Sequence, residues 1–123
     1  MQAYEQNLVM ISLEAAEDLK RGELFYIDSN EKAAKCGAGE KIVGAIRADV
    51  DEGDTATCVV GGTVIVKSGA VVAAGAIIAA DASGRAVTAT TGNYPGGDSV
   101  QAAAAADNYF SVLLNPGQVV IPA

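Results

Sequence analysis

At 123 residues the chain has room for one domain and no second core. Its net charge of −7 argues against nucleic acid as a partner, because neutralising phosphate takes clustered Lys and Arg, and against attraction to an anionic membrane. Half of the residues are apolar, yet there are only four Tyr, two Phe and no Trp, so the predicted core is built from Ala and Val.

Small side chains remove little area from water, at about 25 cal/mol per Å², and such a chain gains from association that buries more surface. Charge is unevenly spread. Residues 61–123 carry only Asp81, Asp98, Asp107, Lys67 and Arg85, as expected of surfaces that meet a neighbour.

In chain order, residues 1–14 read as an N-terminal arm with apolar Leu8, Val9, Met10, Ile11 and Leu13. No basic stretch followed by an apolar one marks a secretory signal there. AAEDLKRG (15–22) has helical composition and ends in a Gly suited to a helix stop, which predicts a single helical turn. ELFYID (23–28) is a predicted strand, SNEK a polar turn, and KIVGAIRA (41–48) a second strand. DVDEGD (49–54) reads as an acidic turn. TATCVV (55–60) and TVIVKS (63–68) flank Gly61–Gly62, a hairpin or bulge signal.

Next come two near-copies of one phrase, GAVVAA (69–74) and GAIIAA (75–80), each read as a bend and a very short strand. DASGR (81–85) is a turn, AVTAT (86–90) a strand, and TGNYPGGD (91–98) a loop. SVQAAAAADN (99–108) has the best helix propensity in the chain, but its neighbours are β and it is assigned to strand. YFSVLL (109–114) is the last strand, and residues 115–123 form a C-terminal tail. Many short strands with turn signals between them predict an all-β, single-domain small barrel over residues 15–114. The longest apolar run, residues 69–80, is far short of the ~20 that span a bilayer.

Little of the chemistry of catalysis is present. With no His, imidazole acid–base work and Ser-His or Cys-His nucleophiles are excluded. Cys36 and Cys58 are expected to be free thiols in a reducing cytoplasm, with Cys58 a small buried hydrophobe. Two cysteines alone make no tetrahedral zinc site, and GAGEK (37–41) lacks P-loop spacing. Asp49, Asp51, Glu52 and Asp54 are a solvated acidic turn without the closing Glu of a calcium loop. Arg47 and Arg85 read as partners in surface ion pairs. Lys67, in TVIVKSGAVVAAG, resembles the cofactor-bearing lysine of biotinyl and lipoyl carrier hairpins, although Val66 and Ser68 replace the usual neighbours. That likeness supplies the alternative reading, a small carrier or ligand-binding barrel.

Taken together, KIVGAIRADVDEGD, TVIVKSGAVVAAGAIIAADASGRAV and the Gly-rich loop before a last strand resemble the capsid cement, or head decoration, proteins of tailed bacteriophages. Asp107–Asn108 stands where the family pattern expects a Gly-Asp turn. The resemblance covers residues 15–114. It implies a non-enzymatic, β-tulip or barrel-like protein without cofactor or metal. It further implies a homotrimer on the exterior of an icosahedral virion, assembled in the host cytoplasm, that bridges subunits of the major capsid protein. On this reading the arm is the candidate capsid contact, through Tyr4, Leu8, Val9, Met10, Ile11 and Leu13, adding a strand to a sheet edge of the shell. The β-branched pairs of the repeated phrase, Val71, Val72, Ile77 and Ile78, are the candidate oligomer interface.

Overall fold

The computed structural model describes residues 3, 5–117 and 121. The fold is all-β, with no helix among the described residues. Among the described residues nine strands follow in chain order: β1 (Gln6–Glu14), β2 (Leu24–Ile27), β3 (Ala33–Lys35), β4 (Gly44–Ile46), β5 (Thr55–Lys67), β6 (Ile77–Ala80), β7 (Ala86–Thr88), β8 (Gly97–Ser99) and β9 (Tyr109–Leu114). They form one curled, antiparallel half-barrel of order β3-β2-β4-β5-β9-β8-β6-β7, with β1 added on β5. The ends of the sheet are stitched together where Leu24 N–H donates to the Gly84 carbonyl (2.7 Å) and Gly39 N–H to that of Ala80 (2.9 Å).

The spine is β5, one strand where the sequence reads as two. Val59, Val64 and Val66 all belong to the barrel core, yet residues 59 and 64 of an uninterrupted strand would face opposite sides of the sheet. A slip of one residue at Gly61–Gly62 reconciles them. The β1–β5 register shifts there, from Gln6↔Thr63 to Val9↔Gly61 to Met10↔Val59, and Gly62 sits at φ 91°. The glycine pair is therefore a bulge and not a hairpin.

Alternation along β2, β4 and β5 feeds two cores. Leu24, Ala45 and Val59 face the barrel interior with Ile42, Ile78, Phe110 and Val112. Phe25, Ile46 and Cys58 face the other way, into a second core with Ala15, Leu19, Ala33 and Ala56. That core is covered by residues 15–22, which do not form the predicted helical turn. Their backbone is committed outward: Ala15, Ala16 and Leu19 donate to Asp54, Ala33 and Val50, so no i−4 carbonyl takes these protons.

The small-residue segments are pinned by buried serines. Ser99 Oγ donates to the Ala73 carbonyl (2.6 Å) and accepts Ala76 N–H (3.1 Å). Ser68 Oγ donates to the Ala105 carbonyl (2.6 Å) and accepts Asn108 N–H (3.0 Å). The predicted strand over 99–108 survives only at Ser99, because residues 100–108 loop back and touch the repeat through a Val72↔Ala103 bridge. Only the second copy of the repeated phrase carries a strand, β6. Strand β3 lies in a stretch without β-forming side chains; burial of Ala33 and Ala34 accounts for it.

Candidate docking surface

The predicted arm is seated on the barrel. Val59 pairs with Met10 on one side and Ala45 on the other, so β1 and β4 lie on opposite edges of β5. Beyond β1 no further strand pairs among the described residues. Val9 (57 % exposed), Met10 (47 %) and Ile11 (36 %) are left in solvent. Leu8 is half-buried against the barrel core and Leu13 against the second core. Tyr4 lies outside the described residues.

Beside β1 is an open cleft of about 600 Å³ lined by Glu5, Arg21, Arg47, Asp49, Thr57 and Tyr109, among others. Arg47 reaches Glu5 (Nε to Oε1, 3.7 Å) and Met10 (Nη1 to Sδ, 3.9 Å). The Arg21 guanidinium lies 5.5 Å from the centre of the exposed Tyr109 ring, within reach for a cation–π contact. The Arg21 N–H donates to Asp49 Oδ1 (2.8 Å). Arg47 was legible as an ion-pair partner; its grouping with Arg21 and Tyr109 was not, since the three come from distant parts of the chain.

The candidate oligomer residues divide. Val71 (68 % exposed) and Ile77 project from the surface. Val72 and Ile78 are fully buried in the barrel core, so their side chains are used within the chain and are not available to a second copy. Strand register places Ile77, Asp98 and Leu113 in one row, and Ile77 and Leu113 are both exposed.

The chemically suggestive groups are occupied structurally. Lys67 is the last residue of β5, paired with Tyr109 at the end of the β5–β9 ladder, and its ammonium lies 3.9 Å from Asp107. It is not at the tip of a tight turn, as a carrier lysine is. Asp81 and Asp107 hold Arg85 at 3.0 and 2.9 Å. Asp107, and not Asn108, takes the left-handed conformation in the turn before β9 (φ 63°). Both cysteines are free and buried; burial pushes the Cys36 thiol up to about 12 and that of Cys58 up to about 11, which makes them poor nucleophiles. No cluster of three or more metal-ligating side chains occurs among the described residues.

The comparisons agree with this architecture. The fold superposes on "The crystal structure of head fiber gp8.5 N base in bacteriophage phi29" with a TM-score of 0.72, covering 89 % of this chain and 95 % of that one at 15 % identity, a likeness of fold. No curated protein sequence matches. The family of phage cement proteins, structural proteins of the phage capsid, matches over residues 4–115, nearly the whole chain, and the chain belongs to it.

Proposed function

We propose that this protein docks as a homotrimer on the outer surface of an icosahedral phage head and cements contacts between subunits of the major capsid protein. It runs no reaction. In this division of labour residues 1–14 are the capsid-binding arm, residues 15–114 the rigid barrel and residues 115–123 a tail. The observation that carries the reading is the apolar run Val9–Met10–Ile11, exposed on a strand whose outer edge has no partner among the described residues. An edge of this kind is open to another strand. Three arms on one trimer add contacts that must break together, which multiplies affinity through effective concentration. The buried free thiols suit assembly in a reducing host cytoplasm.

Co-sedimentation with phage heads that lack this protein tests the reading. Unchanged protein travels with the heads, and the triple substitution of Val9, Met10 and Ile11 by Ser abolishes this while the barrel stays folded. Equal binding by the triple variant removes the arm from the proposal; failure of the unchanged protein to bind refutes the proposal as a whole.

A further inference from the structure

We infer that the cleft beside β1 receives a carboxylate side chain of the partner that the arm engages, which takes the place of Glu5 on Arg47 and reaches Arg21. This rests on the arm as the docking element and names what the adjoining surface recognises.

The cleft gathers two of the chain's three arginines. The third, Arg85, is held by Asp81 and Asp107. Arg21 has no carboxylate within ion-pair distance among the described residues, and its guanidinium is steadied over Tyr109. Among the described residues the one carboxylate within ion-pair distance of Arg47 is that of Glu5, at 3.7 Å, too long for a hydrogen bond. Glu5 is itself only 17 % exposed. A carboxylate from this chain's own arm therefore already fits the cleft, loosely, and can be exchanged for another. Guanidinium forks match carboxylates in two-point geometry, and Arg and Tyr are the residue types that carry most binding energy at protein interfaces. The contact of Met10 with Arg47 joins the cleft to the exposed apolar run without a break. A partner segment laid against that run brings its side chains to the arginines.

The test compares full-length protein with Arg21→Glu, Arg47→Glu and Glu5→Gln in co-sedimentation with heads lacking the protein, with folding checked by circular dichroism. Each arginine reversal is expected to weaken binding about tenfold or more. Glu5→Gln removes the internal competitor and is expected to tighten binding about two- to fivefold, the scale of an exposed ion pair. If the Glu5–Arg47 pair serves only to anchor the arm, Glu5→Gln weakens binding instead, and the inference falls. It falls also if the unchanged protein binds and the arginine variants bind equally well, which leaves the arm proposal standing. Loss of the oligomer in the arginine variants with undiminished affinity for heads assigns the cleft to a contact between copies and overturns the inference. Unchanged protein that does not bind at all ends both.

Discussion

Gly62 and Asn7 meet backbone to backbone where β1 crosses the bulge in β5. Both are in the left-handed region, at φ 91° and 52°, and a methyl group at Gly62 would overlap the Asn7 carbonyl oxygen. The seat of the arm and the slip that keeps both halves of β5 facing one core are thus the same feature.

Gly62→Ala should therefore unseat the start of β1 before it disturbs the barrel. The left-handed conformation and the clash together are expected to destabilise the protein by about 1–3 kcal/mol. Hydrogen exchange is the discriminating measurement: amides of Gln6–Glu14 should lose protection first, and equal loss across β9 would show that the bulge serves the whole sheet.

Ser68→Ala removes the two hydrogen bonds that the Ser68 hydroxyl makes to the loop before β9 and leaves the Asn108 N–H and the Ala105 carbonyl without that partner. An unsatisfied buried polar group costs about 1–3 kcal/mol. Urea unfolding should show a lower midpoint with an unchanged slope. A variant as stable as the parent would mean that water replaces the hydroxyl.

The thiols supply a pH dependence. The unfolded chain releases their protons near the ordinary value of 9.0, whereas in the fold burial raises Cys36 to about 12 and Cys58 to about 11. The folded state thus holds more protons above pH 9.0, and stability falls as pH rises. The contribution is complete below the unfolded value and lost progressively between it and the folded ones. Unfolding midpoints should fall over that alkaline window, less so in a Cys36→Ala/Cys58→Ala double variant. At neutral pH a thiol reagent should label neither cysteine until the protein is unfolded.

Val71 and Val72 are adjacent and should behave oppositely. Val71→Asp places a charge in solvent, with an expected effect on stability within about 0.5 kcal/mol; with Ile77→Asp it is expected to dissociate the proposed trimer in light scattering. Val72→Asp buries an unpaired carboxylate in the barrel core and should prevent folding. A stable trimer with both Val71 and Ile77 replaced would move the interface elsewhere.

Much of this protein is determined by local composition alone. The β-rich runs ELFYID and YFSVLL are strands because their side chains alternate around a pleat, and the placement of Gly, Asp and Asn makes the turns. The lack of His and the burial of Cys58 in an alternating apolar run follow from residue type and local pattern. What local composition does not carry is the partner of each backbone group. Residues 15–22 have helical composition but donate to Asp54, Ala33 and Val50. The alanines of 102–106 have high helix propensity but are tied to Ser68 and Val72. Ala33–Lys35 becomes a strand because pairing with β2 buries Ala33 and Ala34. Likewise the cleft joins Arg21, Arg47 and Tyr109 from distant parts of the chain, with Gly22 packed against the end of β5. Short-range preference is worth tenths of a kcal/mol per residue, and hydrogen bonds and burial between distant segments outweigh it wherever small side chains leave the backbone undecided.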